Sequence, residues 1–280
     1  MTPQLTLALE EGTVPENPEV HAEINNRVEE QFGWAAADYT HSRVHSDPAA
    51  LAKIVALAQV HPGDVGLDVA TGAGHVAIAL ARWISSVTAY DLTAEMLRET
   101  ARNAEARGLS NITTRRGQAE HLPFADASFD IVAVRQAPHH FADVRSAVRE
   151  MARVAKTGAR ILIADSYSPE DPVLDRQWNH IEKLRDPSHV RNYTHREWRE
   201  IVCAAGLRIT FEELDYCTDN GRSMNFAEWT HRMKTPPSAV AELRRLFDTA
   251  SEELRELLRM ERSGGEIGFC VPEITIVALR

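Results

Sequence analysis

The stretch from Val65 to Ala77 most constrains the fold, because it encodes a strand, a tight turn and a helix start in succession. Residues 65–69 are mostly apolar and β-prone, and Gly72 and Gly74 follow within the turn. Glycine lacks a Cβ, so the backbone can turn sharply against a ligand, and the unpaired N–H groups of the following helix face the same space. The pattern is typical of a nucleotide-binding turn.

Strand and helix patterns alternate regularly after this turn, as far as residue 164. Apolar residues recur at helical spacing between successive predicted strands, and each strand is short and rich in β-prone residues. Seven strands are predicted in all, at 65–69, 86–90, 111–116, 129–134, 160–164, 207–216 and 272–279. This order predicts an α/β fold with a doubly wound, mostly parallel seven-stranded sheet and helices on both faces.

Two parts of the chain stand outside this alternation. Residues 1–45 are predicted to form an N-terminal arm and a cap helix, which runs from about residue 19 and ends near Gly33. Residues 46–280 form the main domain, in which the segments at about 166–193 and 217–265 interrupt the pattern as helical lid insertions.

Side chains that cap helices mark two further helix starts. Thr93 is predicted to cap the helix that follows the second strand, and Gly108 is predicted to end that helix in a left-handed conformation. Thr194 and Glu197 have the spacing of a capping box.

Composition limits the classes of partner. The formal charge is −10 at pH 7, and no cluster of Lys and Arg stands out against 41 acidic residues, which argues against nucleic acid. No apolar run approaches the roughly 20 residues that a membrane-spanning helix needs, and residues 1–11 lack the features of a signal peptide. A cytoplasmic protein that acts on a small molecule and does not bind a membrane is therefore expected.

The glycine turn alone allows two kinds of nucleotide. Gly72-x-Gly74-x-x-Ala77, with Asp91 at the tip of the next strand, satisfies the dinucleotide fingerprint. However, Asp68 lies just before the turn, where its carboxylate would repel a pyrophosphate and attract a cationic group. Each acid also has a local interpretation, since Asp68 can cap the turn and Asp91 can cap the following helix.

Six ordered segments between about residues 45 and 165 separate these alternatives. They resemble the class I S-adenosylmethionine-dependent methyltransferases, and in particular the ubiquinone/menaquinone C-methyltransferase-like group. The segments are Leu67-Asp68-x-Ala70-Thr71-Gly72-x-Gly74, Asp91-Leu92-Thr93-x-x-Met96-Leu97, Gly117-Gln118-Ala119-Glu120-x-Leu122-Pro123-Phe124, Ser128-Phe129-Asp130-Ile131-Val132, His139-His140-Phe141-x-Asp143 and Glu150-Met151-x-Arg153-Val154-x-Lys156-x-Gly158. Two positions depart from the family pattern: Ala70 replaces a glycine, and Gln118 replaces a frequent aspartate.

The resemblance implies S-adenosylmethionine as the cofactor and S-adenosylhomocysteine as its product. By this likeness Asp68 reaches the methionine moiety above the glycine turn, Asp91 accepts the ribose hydroxyls, and Leu92 and Met96 flank the adenine. The whole set of cofactor-binding residues implied is Tyr39, Asp68, Ala70, Thr71, Gly72, Gly74, Asp91, Leu92, Met96, Gln118, Ala119, Glu120, Arg135 and Gln136.

The catalytic and substrate-binding candidates follow the later strands. His139, and with less support His140, lies in a loop after a strand end, where open α/β sheets expose catalytic groups. Substrate contacts are assigned to the insertions, at Trp178, Arg185, His189 and Trp229. No set of residues has metal-ligand spacing, so no metal is predicted.

These residues predict transfer of a methyl group to an oxygen, nitrogen or carbon nucleophile of a small molecule, such as a quinone-like, phenolic or other secondary metabolite. The first alternative is a protein that binds S-adenosylmethionine but catalyses a non-methylating rearrangement or cyclisation. The second is an NAD(P)-dependent oxidoreductase, against which Asp68 and the later segments argue.

Overall fold

The computed structural model describes residues 17–40, 45–215 and 224–280, and the side chains of residues 34–40 lie outside this description. The chain order begins with helix α1 (Pro18–Thr40), which continues past Gly33, so the predicted end of this helix was wrong. Helix α2 (Pro48–Leu57) follows, and Asp47 caps it by accepting hydrogen bonds from the N–H groups of Ala49 and Ala50.

Strands and helices then alternate as predicted. They are β1 (Val65–Val69), α3 (His75–Ala81), β2 (Ser86–Asp91), α4 (Ala94–Glu105), β3 (Ile112–Arg116), β4 (Phe129–Arg135), a 3₁₀ turn (Pro138–His140), α5 (Val144–Val154) and β5 (Ala155–Ser168). Gly108 has the predicted left-handed conformation, with φ of +67°. Thr93 stands at the start of α4, but its side chain does not cap the helix. That prediction was wrong.

The remaining elements complete the sheet and build a second lobe. They are α6 (Pro172–Arg185), β6 (Tyr193–Thr194), α7 (His195–Ala204), β7 (Arg208–Asp215), β8 (Met224–Asn225), α8 (Phe226–Arg232), α9 (Pro237–Asp248), α10 (Glu252–Leu257), β9 (Glu261–Ser263), β10 (Glu266–Phe269) and β11 (Glu273–Leu279). The capping box of Thr194 and Glu197 forms as predicted. The sequence patterns did not predict β8, β9 and β10, which form a small separate sheet.

The central sheet has the strand order β3-β2-β1-β4-β5-β11-β7, with the short β6 pairing to β5 outside this path. Neighbours from β3 to β5 are parallel, whereas β11 is antiparallel to both β5 and β7. One face packs on α5 and α7, and the other packs on α2 and α3. This confirms the predicted doubly wound, mostly parallel sheet with helices on both faces.

The second lobe has its own apolar cluster, which joins α6 to α8, α9, α10 and β10. Trp178, Trp229, Phe247 and Phe269 are almost fully buried there, and the rings of Trp229 and Phe269 meet edge to face at 5.0 Å. Because these large side chains pack against one another, the second lobe has an apolar core of its own. Within the described ranges, no helix is both long enough and apolar enough to cross a membrane.

Candidate active site

The first cavity lies at the carboxyl ends of β1, β2 and β4, where the sheet reverses its winding order. It holds about 960 Å³, including its open mouth, which is ample for a nucleotide-sized ligand. The predicted cofactor-binding residues that line it are Asp68, Ala70, Thr71, Gly72, Asp91, Leu92, Met96, Gln118, Ala119, Glu120, Arg135 and Gln136. The structure thus brings together residues that are nearly 70 positions apart in the chain.

The remaining two predicted residues are Tyr39 and Gly74. The side chain of Tyr39 lies outside the described residues. Gly74 lies beneath the turn, where it begins α3 with φ of +86°, and a Cβ there would come within 2.7 Å of Thr100 Cγ2. Its role in the fold is therefore to let the turn pack closely on α4.

Asp68 is buried at the end of β1 and organises the glycine turn. One of its carboxylate oxygens accepts hydrogen bonds from Thr71 Oγ1 at 2.6 Å and from the N–H of Ala77 at 2.9 Å. Burial raises the pKa of Asp68 to about 7, although these two hydrogen bonds oppose the shift. Asp68 therefore supports the turn and also presents a carboxyl group to the cavity wall.

Asp91 ends β2 and connects the glycine turn with the start of α4. Its carboxylate accepts hydrogen bonds from the N–H groups of Gly72 and Thr93, each at 2.8 Å. Burial raises the pKa of Asp91, and the backbone donors partly offset this effect. The Thr93 side chain and the Leu92 N–H also hydrogen-bond to this carboxylate, so a ligand that binds Asp91 would share it with these local donors.

The second cavity opens from the first and lies between the sheet edge and the second lobe. It holds about 570 Å³, and the residues that line both cavities are Phe32, His45, Gln136 and His140. Its apolar wall comes from the lobe and includes Met224, Trp229, Met233 and Val271. A ligand in each cavity would therefore meet the other at this shared boundary.

His139 lines the second cavity and is held by Asp165 at the end of β5. Its ring Nδ1 lies 2.6 Å from Asp165 Oδ1, and its backbone N–H donates to Asp165 Oδ2 at 2.8 Å. Burial opposes the charged imidazole, but Asp165 outweighs it through charge and hydrogen bonding and raises the pKa of His139. An ionised carboxylate only accepts, so the Nδ1 proton points at Asp165 and Nε2 is left as the acceptor.

His140 and His189 are more deeply buried than His139. The pKa of His140 falls to about 3 because of burial and the neighbouring His139, and its Nδ1 lies 3.2 Å from the carbonyl oxygen of Ser188. His189 lines neither cavity, and its Nε2 lies 3.2 Å from Asn179 Oδ1. Burial also holds the pKa of His189 well below its usual range. Both rings are therefore neutral, but His140 lies on the wall that the two cavities share, whereas His189 lines neither cavity.

The four substrate-binding candidates are divided by the structure. Arg185 and Trp229 line the second cavity, and the guanidinium of Arg185 lies 4.7 Å over the Trp229 ring. Trp178 is fully buried in the second lobe and, like His189, lines neither cavity. Among these four, only Arg185 and Trp229 line a cavity, because Trp178 and His189 are buried in the packing around it.

Several residues of the second cavity were not predicted as site residues. Glu182, Asp186 and Glu273 are acidic side chains in its wall, Asp165 pairs with His139, and Phe32 and His45 close the cavity from the N-terminal side. Asp165 was detectable, because it directly follows the strand predicted at 160–164, which lies next to the strand that precedes His139. Glu273 could not be predicted, because it starts the antiparallel strand β11 and reaches the site only through the order of the strands in the sheet.

Among the described residues, no group of three or more His, Cys, Asp and Glu side chains is arranged to hold a metal ion. The acids and histidines around the second cavity instead form pairs with one another or with arginine.

Comparison with known proteins agrees with this geometry. A family model described as a methyltransferase domain matches residues 67–163. The uncharacterized methyltransferase YcgJ of Bacillus subtilis is 34% identical over 254 residues, which cover 90% of this chain and 98% of YcgJ. The crystal structure of YcgJ matches with a TM-score of 0.77 at 35% identity, over 83% of this chain and 98% of that one.

Two further relatives match shorter parts of this chain. The uncharacterized protein YafE of Escherichia coli is 42% identical over 191 residues, covering 68% of this chain and 90% of YafE. A demethylmenaquinone methyltransferase of Thermobifida fusca is 33% identical over 141 residues, covering 50% of this chain and 59% of that enzyme. These similarities replace the dinucleotide interpretation of the glycine turn. The chain belongs to the S-adenosylmethionine-dependent methyltransferases, in the vicinity of the ubiquinone/menaquinone C-methyltransferases, and is an enzyme of that class.

Proposed function

We propose that this enzyme methylates a small molecule that binds in the second cavity, using S-adenosylmethionine bound in the first. The observation that carries the proposal is the junction of the two cavities, with the His139–Asp165 pair on the substrate side. In-line transfer of a methyl group depends chiefly on how the cofactor and the substrate are oriented. Two adjoining cavities can hold the two molecules in a fixed orientation.

The residues of the first cavity fit the cofactor. A Cβ built on Gly72 would have no atom within 4 Å, so the turn leaves open space beside the backbone. Two buried acids lie at adjacent strand ends, which suits a ligand with a ribose diol and a cationic amino-acid group. When bound, S-adenosylmethionine would supply an activated methyl group whose departure leaves neutral S-adenosylhomocysteine.

Individual contacts with the cofactor are part of the proposal. Asp91 accepts the ribose hydroxyls, and Asp68 receives the methionine amino group above the glycine turn. Leu92 and Met96 flank the adenine, with Gln118, Ala119 and Glu120 at its edge and Arg135 and Gln136 at the floor. Tyr39 stays in the proposal through the resemblance alone, since its side chain lies outside the described residues.

His139 is proposed to take a proton from the substrate. Its Nδ1 proton is directed at Asp165, which leaves Nε2 able to accept, and Asp165 stabilises the imidazolium that results. The raised pKa of His139 strengthens it as a base. His140 has a pKa of about 3 and its ring centroid lies 4.1 Å from that of His139 at the boundary of the two cavities, so it is proposed to position that ring.

The domain organisation is proposed to follow the cavities. The segment 1–45 contributes a cap helix, and residues 46–280 form the catalytic domain with lid insertions at about 166–193 and 217–265. Phe32, Arg185 and Trp229 support this division, because α1 and both insertions contribute walls to the second cavity. The substrate is a quinone-like, phenolic or other secondary metabolite, and relatives named demethylmenaquinone methyltransferases support a quinol-type nucleophile.

The direct test is to incubate the enzyme with S-adenosylmethionine and a panel of phenols, quinols and amines, and to measure S-adenosylhomocysteine by mass spectrometry. Formation of S-adenosylhomocysteine that requires one of these substrates supports methyl transfer. Conversion of a substrate without S-adenosylhomocysteine would instead establish the non-methylating alternative. Failure of the protein to bind S-adenosylhomocysteine in calorimetry would contradict the proposed function altogether.

A further inference from the structure

Arg185 is a buried cation on the wall of the second cavity. It ends α6, is only 9% exposed and lies between the second lobe and the sheet edge. Burying a guanidinium is costly unless its donors are paired. The pattern of its hydrogen bonds therefore indicates what the cavity is built to receive.

The guanidinium of Arg185 is only partly paired. Its Nη1 donates to Glu182 Oε2 at 2.9 Å and its Nε donates to the carbonyl oxygen of Trp229 at 3.2 Å. Counting only described residues, Nη2 makes no hydrogen bond. Arg185 lines the second cavity, so a ligand in that cavity can supply a partner for Nη2.

Arg185 is also held in place before any ligand arrives. Its guanidinium lies 4.7 Å over the ring of Trp229, and Thr235 Oγ1 donates to its carbonyl oxygen at 2.8 Å. A rigid fork loses little conformational freedom when it binds a planar anion with two oxygens, which is the geometry of a carboxylate.

The acids around the cavity already have donors, so they do not compete for Arg185 Nη2. Glu182 is bound by Arg185 itself, and Asp186 accepts from the N–H and Oγ of Ser188 at 2.8 and 2.6 Å. Glu273 accepts from Gln136 Nε2, and burial raises the pKa of Glu273 to about 7. Part of the Glu273 population is therefore neutral at neutral pH.

Positive charge predominates on the side of the cavity near His45. Burial, followed by the charges of Arg232, Arg135 and Arg185, holds the pKa of His45 well below its usual range. Three guanidinium groups therefore act on one side chain at the boundary between the cavities. These guanidinium groups offset the acids Glu182, Asp186 and Glu273 that also line the second cavity, and they offer partners to an anionic ligand on this side.

From these contacts we propose that the substrate carries a carboxylate, which binds the open edge of Arg185 while an apolar body lies along Trp229, Met224 and Met233. The proposal rests on the proposed function, because it takes the second cavity as the substrate site. It adds the chemical class: a small apolar or aromatic carboxylic acid. A phosphate fits less well, since a dianion needs more open donors than this one edge provides.

The test compares matched probes by isothermal titration calorimetry, with and without saturating S-adenosylhomocysteine. The probes are benzoate, phenylacetate, 3-phenylpropanoate, 2-naphthoate and hexanoate, each beside its neutral amide, with 3-phenylpropylamine as a cationic probe. At least one carboxylate is expected to bind saturably and about tenfold more tightly than its amide. Absence of saturable binding by every carboxylate, equal binding of the amides or tighter binding of the amine would overturn the proposal.

Variants test whether Arg185 is the source of the preference for carboxylates. Arg185→Gln should abolish the carboxylate preference, and so should the double change Glu182→Gln with Arg185→Gln, which leaves no unpaired buried acid. Arg244→Gln is the matched control, because Arg244 also lies over an aromatic ring of the lobe, 5.7 Å from the Phe226 centroid, but lines neither cavity. A preference that survives in both Arg185 variants would contradict the proposal.

S-adenosylhomocysteine binding, measured first, separates the two proposals. A protein that binds this compound but shows no carboxylate preference contradicts only the substrate class. A protein that does not bind it contradicts the proposed function, whatever the carboxylate series shows.

Discussion

The two cavities share one edge of the sheet, yet they are assembled in different ways. The first is lined mainly by short runs at the ends of strands β1, β2 and β4 and in the loop after β3, with Asn25, Val28 and Phe32 of α1 on one side. The second takes single residues from α1, α6, the loop after β4, the second lobe and β11. The proposed cofactor site thus follows mainly from strand order, whereas the proposed substrate site depends on how distant segments pack together.

Electrostatics divides the cavities in a second way. In the first, Asp68 and Asp91 are buried acids that bond only to hydroxyl and backbone donors of nearby turns, and both have raised pKa values. In the second, acids face His139 or Arg185 in close pairs. The first cavity is therefore suited to a cationic ligand, and the second to proton transfer and to an anionic group.

His139→Ala tests the second cavity most severely. Loss of a positioned general base should lower kcat by about 10²- to 10⁴-fold on a substrate identified by S-adenosylhomocysteine formation. Calorimetric affinity for S-adenosylhomocysteine should change by less than about twofold, because His139 lines only the second cavity. His195→Ala is the control, since His195 pairs with Glu212 at 3.1 Å elsewhere. Unchanged turnover would remove His139 from the mechanism.

Asp91→Ala tests the first cavity, where the affinity for the cofactor should change. Removal of hydrogen bonds to a charged group, worth about 1.5–3 kcal/mol, should weaken S-adenosylhomocysteine binding by roughly 10- to 100-fold in calorimetry. Asp130→Ala removes an acid that likewise accepts from a backbone N–H, that of Val65 at 3.0 Å, but near the opposite end of the sheet. Equal losses in the two variants would show that the cofactor site is misplaced.

Gly72→Ala and Gly74→Ala separate ligand space from packing within one turn. Both positions have positive φ, but only at Gly74 would a Cβ meet Thr100, at 2.7 Å. Gly74→Ala should therefore lower the free energy of unfolding in urea by about 1–3 kcal/mol more than Gly72→Ala does. Gly72→Ala should instead have the larger effect on cofactor affinity. The reverse ranking would contradict this division.

The pH dependence of cofactor binding should follow Asp68. Its folded pKa of about 7 lies above the unfolded value of 3.8, so its contribution to stability is present below pH 4 and is lost as the pH rises through 7. Ionised Asp68 attracts a cationic amino group, so affinity for S-adenosylhomocysteine should rise by up to about tenfold between pH 5.5 and 7. Asp68→Asn should flatten both trends, and a parallel pH profile in that variant would exclude Asp68.

Sequence alone predicted the elements whose causes are local. The alternation of β1 to β5, the left-handed Gly108 and the capping box of Thr194 depend on neighbouring residues, and the structure has all of them. Gly33 shows the limit of such signals, because α1 runs on past it to Thr40. Contacts of α1 with other parts of the chain, such as the ion pair of Glu29 with Arg116, are not visible in a local pattern.

The candidate site shows the same boundary between local and distant causes. Arg185 and Trp178 lie on one helix, α6, and looked equally suited to meet a substrate, yet only Arg185 reaches a cavity. Which face of the helix turns inward is decided by the second lobe, whose strands β8 to β10 had no clear sequence signal. Asp165 and Glu273 joined the site through neighbouring strands of the sheet rather than through a motif.

The interior position of β11 has a consequence for the synthesis of this protein. Strand β11 lies between β5 and β7 and pairs with both, although it follows them by more than 50 residues in the chain. Until residues 273–279 leave the ribosome, β5 is an open edge rich in buried isoleucine and leucine, and β7 has no partner in the sheet. Such an edge invites pairing between chains, so a nascent chain stalled before residue 273 is the form of this protein most exposed to aggregation.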